Sequence, residues 1–364
     1  MGFRYIGAKT KIINEVIDKI TSISGEGSHV VDLMCGTGAV SAALRERGFS
    51  VTALDMMTFA YHHARVQLLL KEPPSFEKCQ NFIDKYYPKM IPTLFPLTPY
   101  EMMLTSLNNI QPIKGYFWKE FSVEGRPKNT DKPRNYFSPE NAKKIDAIRK
   151  CIKKFSLSGA ITEIEHSLLL HDLIMAANDI ANIAGTYGHY LSKTVGRAKS
   201  PIILKPTIIK QVKSVKKHKV LLGHAENMAS KIKGDLCYID PPYMKRQYAA
   251  NYHILETLAR EDEPEAIGVS GLRPWRDQYS NFCTKTKIRE SFHKIFTNMK
   301  CPHYLISYSE DGLLKLNDLI ELFSQYGEVE ASTLINKRFK SNESQLNQYL
   351  IEYLIHIKIS KKVA

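Results

Sequence analysis

Apolar residues in this chain fall into short runs separated by polar and glycine-rich stretches, and the first clear run is Val30-Val31-Asp32-Leu33-Met34. A short apolar run bounded by turn residues reads as a buried strand. Cys35-Gly36-Thr37-Gly38 follows as a tight turn, then Ala39 to Arg47 as a helix ended by Gly48. Val51-Thr52-Ala53-Leu54 forms a second strand that closes at Asp55. The pattern predicts a β-α-β unit with glycines at its first strand-to-helix turn.

The alternation breaks from about residue 72 to 219, a stretch with many aromatics and a proline-rich first half from Pro73 to Pro139. A helix is expected after Ser138-Pro139-Glu140, since proline suits the first helical turn. A second should span roughly Ile161 to Ile183, where Leu168, Leu169, Leu173 and Ile180 fall near helical spacing. This stretch reads as a mainly helical insertion. Strands then return at Lys219–Leu222, Leu236–Ile239 and Tyr304–Tyr308, and Tyr349–Ile359 reads as an antiparallel strand at the end of the sheet. The fold class is α/β, an open and mostly parallel sheet with an insertion after its second strand. The domain reading is residues 1–71 with 216–364, and an inserted domain at 72–215. No internal repeat or low-complexity segment is visible.

Composition narrows the function classes. With 364 residues and 43% hydrophobic content, the chain can bury a substantial core. It carries 51 Lys and Arg against 37 Asp and Glu, a net charge of +14. That surplus favours an anionic partner, nucleic acid or an anionic membrane surface, although charge alone leaves a basic protein without such a partner equally open. No run approaches the roughly 18 apolar residues of a membrane span. The opening MGFRYIGAKTK has no apolar stretch of signal-peptide length, so a cytoplasmic protein is expected. The six cysteines form no C-x-x-C pair and read as buried thiols. His62 and His63 are adjacent with no partner at i+4, so no metal site is expected.

Two motifs carry chemistry. Asp32-Leu33-Met34-Cys35-Gly36-Thr37-Gly38 places glycines where backbone must approach a ligand at the carboxyl edge of a sheet. Asp55 ends the next strand, where a carboxylate can accept the hydroxyl protons of a ribose. Sheets that bind nicotinamide and S-adenosylmethionine cofactors share this logic, and a plain tight turn before a helix also fits. Asp240-Pro241-Pro242-Tyr243 is more specific. Its prolines stiffen the loop and remove two N–H donors. Carbonyls and a carboxylate remain, all acceptors, beside an aromatic ring. Such a site suits a flat amino group offering two hydrogens. An adenine in a duplex would have to be flipped out to reach it.

With these motifs the chain resembles the alpha group of DNA adenine-N6 methyltransferases, the Dam-like family that includes many restriction-modification enzymes. The resemblance implies a bacterial or archaeal protein with a Rossmann-like S-adenosylmethionine-dependent methyltransferase sheet and an inserted DNA-recognition domain. It assigns cofactor contacts, leading to S-adenosylhomocysteine as product, to Tyr5 and Lys9 of Arg4-Tyr5-Ile6-Gly7-Ala8-Lys9. It adds Asp32, Cys35, Gly36, Gly38, Asp55, Glu226, Asn227 and Asp240, though His224 departs from the Asp or Gly common before Glu226. It assigns catalysis to Asp240, Pro241, Pro242 and Tyr243. Arg246-Gln247-Tyr248 and Asn251-Tyr252-His253 continue a pattern of restriction-associated members, and Lys337 to Asn342 resemble a late hairpin with Arg338 and Lys340. Gly185 to Tyr190 resemble part of the recognition domain. Between 72 and 135 nothing transfers.

From Lys193 to Lys219 there are nine Lys or Arg and no acid. A solvated face could look like this. Its place between the recognition segment and the catalytic half favours phosphate contact instead. Tyr187, Tyr190, Arg197, Lys213, Lys216, Lys217, Arg246, Arg338 and Lys340 are the expected DNA contacts. The expected activity is methyl transfer to adenine N6 in double-stranded DNA, as the modification enzyme of a type II restriction-modification system with a separately encoded endonuclease. The alternatives are an RNA or protein methyltransferase of the same fold, and a DNA-binding relative without catalysis. A nicotinamide oxidoreductase would leave Asp240 to Tyr243 without a role.

Overall fold

The computed structural model of the chain describes residues 5–7, 9–87, 96–212, 216–337 and 349–360. They divide into two compact units. One comprises Gly7–Leu68, Val212–Tyr248 and Gln278–Ala364; the other comprises Met1–Ile6, Leu69–Gln211 and Ala249–Asp277.

The first of these is built on a seven-stranded sheet. In chain order its strands are β1 (His29–Asp32), β2 (Ser50–Asp55), β3 (Lys219–Leu222), β4 (Leu236–Ile239), β5 (His303–Ser309), β6 (Gly327–Lys337) and β7 (Tyr349–Ile359). They lie in the order β3-β2-β1-β4-β5-β7-β6. β1 to β5 are mutually parallel, and β7 runs antiparallel to both β5 and β6. The parallel strands β1, β2, β4 and β5 are apolar and buried, as strands covered on both faces are, whereas the edge strand β3 is exposed or half-buried. Val31, Leu54, Cys237, Ile239, Tyr304 and Ile306 pack with Phe292 and Phe296 of the helix Ile288–Asn298 and with Phe323. After β1 the chain turns to β2 and β3 on one side, and it returns to β4 on the other. That reversal opens a crevice at the carboxyl ends of β1 and β4, where sheets of this kind hold ligands.

The outermost strand beyond β7 is β6, so the Tyr349–Ile359 strand expected at the end of the sheet lies inside it. The periodicity missed β6 for a physical reason. From Glu328 to Ile335 its side chains are exposed or half-buried. An edge strand carrying Glu328 and Glu330 gives no apolar run, and charges of this kind discourage further strand pairing.

The other unit is helical. Ser138 caps the helix Pro139–Leu157, its hydroxyl accepting from the Asn141 N–H with Pro139 in the first turn. Thr162 and Glu165 form a reciprocal capping box on the helix Glu163–Ile180. The segment Ala249–Asp277, read from the sequence as part of the sheet domain, packs here instead. Its helix His253–Arg260 lies against Glu163–Ile180. Arg134, fully buried, pairs with Glu120 at 2.7 Å and donates to the carbonyls of Ala266, Gly268 and Val269. A guanidinium taken from water needs such partners, and these fasten the 266–269 loop to the insertion. Among the described residues no helix is long and apolar enough to cross a membrane.

Candidate active site

The glycine turn forms the first wall of the crevice. The Cys35 N–H donates to the Leu54 carbonyl at 3.0 Å, and the Gly38 N–H donates to the Cys35 carbonyl at 2.8 Å. Gly36 and Gly38 have φ of 51° and 76°, in the left-handed region that favours glycine. A Cβ on Gly38 would meet the Ala64 Cα at 3.4 Å, so the turn also packs tightly on the helix Thr58–Leu69. Cys35 is buried and desolvation pushes its thiol well up.

Two carboxylates stand at this wall. Asp32, at the end of β1, is buried and accepts from the Ser41 hydroxyl at 2.6 Å. Loss of solvent pushes its pKa up to about 7 against that hydrogen bond, with Asp240 and Asp55 adding repulsion. Asp55, at the end of β2, accepts from the Gly36 N–H on Oδ2 and from the Met57 N–H on Oδ1, each at 2.8 Å. The backbone thus fixes its plane. Its carbonyl accepts from the Gly223 N–H at 2.9 Å, which brings the end of β3 alongside. Beyond Gly223 the short helix Ala225–Met228 carries Glu226, which accepts from the Ser291 hydroxyl at 2.8 Å, and the exposed Asn227.

The second wall follows β4. Asp240 is the first residue past the strand, and its side chain is 19% exposed. Lys9 lies behind it, with Nζ 2.9 Å from Asp240 Oδ1 and 2.6 Å from Glu352 Oε1. The Ser307 hydroxyl donates to the same Glu352 oxygen at 2.8 Å. Burial pulls the Lys9 ammonium down, but Asp240 and Glu352 outweigh it and hold its pKa well above the ordinary value. Asp240 is raised to about 6 by desolvation, which Lys9 opposes and Glu352 reinforces. Pro241 is buried and Pro242 half-buried. Tyr243 lies edge-on to Tyr308 at 5.9 Å, with the Lys9 ammonium 5.5 Å from its ring centre. Its carbonyl accepts from the Leu313 N–H at 3.0 Å. Gly7 has φ of 77°, and a Cβ there would come within 3.3 Å of the Tyr248 hydroxyl and 3.8 Å of that of Tyr243. The Gln247 side-chain amide exchanges two hydrogen bonds with the Ser280 backbone, steadying the loop after Tyr243.

The sheet therefore brings Asp32, Cys35, Gly36, Gly38, Asp55 and Asp240 to one edge, with Lys9 tied to Asp240. Tyr5 stacks on Tyr252 at 5.0 Å in the helical unit. Sequence reading missed Glu352 and Ser307. The signal that could have found Glu352 was a single acid within the apolar run Tyr349 to Ile357, since buried acids need partners.

The expected DNA contacts divide. Lys216, Lys217 and Arg246 are exposed in the sheet unit, and Lys216 Nζ donates to the Gly27 carbonyl at 3.2 Å. Tyr190 is half-buried, edge-on to Tyr136. Tyr187 corrects the expectation. It is fully buried, its hydroxyl donates to Asn178 at 3.1 Å, and its carbonyl accepts from Tyr136, so its ring builds the core of the helical unit. Arg197 also turns inward, its guanidinium on the carbonyls of Ala181 and Ile183 just past the helix Glu163–Ile180. Lys213, Arg338 and Lys340 lie outside the described residues.

A family model described as D12 class N6 adenine-specific DNA methyltransferase matches residues 5–321, most of the chain, which therefore belongs to that family. The modification methylase LlaI of Lactococcus lactis subsp. lactis is 30% identical over 363 residues, covering 98% of this chain and 55% of the relative. The type II methyltransferase M.FokI of Planomicrobium okeanokoites is 30% identical over 359 residues, covering 98% and 52%. The type II methyltransferase M.NlaIII of Neisseria lactamica is 27% identical over 344 residues, covering 94% and 93%. The chain thus spans about half the length of the first two and nearly all of the third.

Proposed function

We propose that this member of the D12 class family transfers a methyl group from S-adenosylmethionine to the N6 of an adenine extruded from double-stranded DNA. The observation that carries the reading is Asp240, held at the reversal point of the sheet, partly open, with a buried lysine fixed to one of its oxygens. The chain's residues also fit the cofactor. A ribose offers two hydroxyl donors, and the Asp55 carboxylate, oriented by the Gly36 and Met57 N–H groups, is the acceptor that would receive them. Gly36 and Gly38 place no side chain over the turn, and Asp32 stands ready for the amino end of the methionine part.

When bound, the cofactor supplies a methyl carbon made electrophilic by a positively charged sulfur. The chain's part is alignment. Asp240 and the Pro241 carbonyl accept the two hydrogens of the amino group, which turns the nitrogen lone pair out of the ring system. Tyr243 stacks on the flipped base. Holding both reactants in line can account for about 7–11 kcal/mol of the barrier. As nitrogen bonds to carbon its protons become acidic, and Asp240, with a pKa of about 6, is the acceptor beside them. Lys216, Lys217 and Arg246 would contact phosphate, positioning the duplex without reading its sequence. The names of the relatives support a modification role; a cytoplasmic location and a separately encoded restriction endonuclease as partner belong to the same proposal. The test is to incubate the protein and S-adenosylmethionine with genomic DNA that lacks modification, then sequence it with modification-sensitive reads. N6-methyladenine at one recurring motif is expected; unmodified DNA, or methyl groups found only on RNA or protein, would reject the reading.

A further inference from the structure

We propose that Glu352 is a positioning residue for methyl transfer, keeping Lys9 on one oxygen of Asp240 so that the other is left for the substrate amino group. The inference rests on the methyl-transfer reading and deepens it.

Glu352 sits on β7, opposite Ser309 of β5, and is only 3% exposed. A buried carboxylate in an apolar strand costs stability unless it is paired, and its partners here are Lys9 and Ser307. Neither oxygen of Asp240 would be safe without it. A lysine ammonium has three donors on a flexible stem, and a lone ammonium beside a lone carboxylate can swing to span both oxygens. Glu352 takes one of those donors at 2.6 Å, and Ser307 fixes Glu352 in turn. The Lys9 contact with Asp240 is then confined to Oδ1.

Charge points the same way. One ammonium between two carboxylates leaves the trio with a net negative charge, so Asp240 remains a strong acceptor. Remove the Glu352 charge and Lys9 neutralises Asp240 alone. The other ionisable groups facing Asp240 are Asp32, Tyr238 and Tyr243, and none of them can replace the charge–orientation link that Glu352 has to Lys9.

The experiment is Glu352→Gln in the full chain, assayed by steady-state and single-turnover transfer from radiolabelled S-adenosylmethionine to unmodified duplex DNA across pH. Glutamine keeps the shape and an acceptor for Ser307 but removes the charge. The expected result is a kcat lowered by up to about a hundredfold, the scale of a small misalignment. Cofactor Kd and the KM for DNA should stay within about threefold, and the acid limb should move to lower pH, because Asp240 loses a repelling neighbour. A purely structural role predicts a lower melting temperature with the wild-type kcat and acid limb, and that result overturns the proposal. Should Glu352→Gln not fold, Ser307→Ala decides: it removes one anchor of Glu352 and should lower kcat by about two- to tenfold, the range of one hydrogen bond. A wild-type kcat in a folded Ser307→Ala would then overturn the proposal. Wild-type protein that methylates no adenine would instead reject the underlying reading.

Discussion

Both units bury charge, and they do it to different ends. In the helical unit Arg134 and Glu120 are buried and pair with each other, and the remaining Arg134 donors go to backbone carbonyls of Glu120, Ala266, Gly268 and Val269. In the sheet unit Lys9 and Glu352 are equally sealed, but they end on Asp240, which opens to the crevice. The first arrangement completes itself; the second leaves an acceptor unfilled. Burial alone therefore does not mark a site. A buried network whose last member faces outward does.

The largest effect should come from breaking the sealed pair. Arg134→Met strands the Glu120 carboxylate and several carbonyls, and should cost about 3–5 kcal/mol in denaturant unfolding of the helical unit. A loss below about 1 kcal/mol would mean that water takes over those partners. Asp240→Asn should do the opposite. Transfer should fall by at least about a hundredfold, while the fold stays intact. The pKa of Asp240 is raised in the folded state, so its stabilising contribution is present in acid and is lost as pH rises through about 6. Replacing it should therefore leave the melting temperature at pH 8 unchanged or higher. In the wild type the rate should climb through pH 6 as this carboxyl ionises; a flat profile between pH 5 and 7 would detach the chemistry from Asp240.

Asp55→Ala should weaken S-adenosylmethionine binding by about 1.5–3 kcal/mol, the scale of hydrogen bonds to a charged group, and unchanged calorimetric affinity would move the ribose elsewhere. The smallest effect belongs to the surface. Lys216→Gln with Lys217→Gln should weaken binding to cognate and random duplexes alike, lowering the salt slope by up to about 0.9 for each phosphate no longer neutralised. An unaltered slope would make both lysines solvated surface.

What the sequence revealed followed from how local each signal is. The glycine turn between β1 and the next helix, Asp240 after β4, and the Ser138 cap are each signals contained in a few consecutive residues, and the chain's periodicity exposes them. The α/β sheet followed from apolar runs buried on both faces. β6 was invisible because its side chains face water. The placement of Ala249–Asp277 depends on Arg134, more than a hundred residues earlier, and no pattern within the segment announces that partner. Tyr187 failed in the other direction. An aromatic ring beside a basic run suggested a nucleic-acid surface, yet its neighbours Tyr136, Asn178 and His253 enclose it. The triad of Lys9, Asp240 and Glu352 unites three distant stretches of chain, and the stretch around Glu352 carried no motif.

The interleaving of the two units bears on how this protein is made. β1 pairs on one side with β4, Val30 against Leu236, so that edge has no native neighbour until some two hundred further residues have left the ribosome. The helical unit is likewise incomplete until Asp277 has emerged. During synthesis each unit waits on the other, and the parallel pair of β1 and β2 spends that interval with a bare apolar edge.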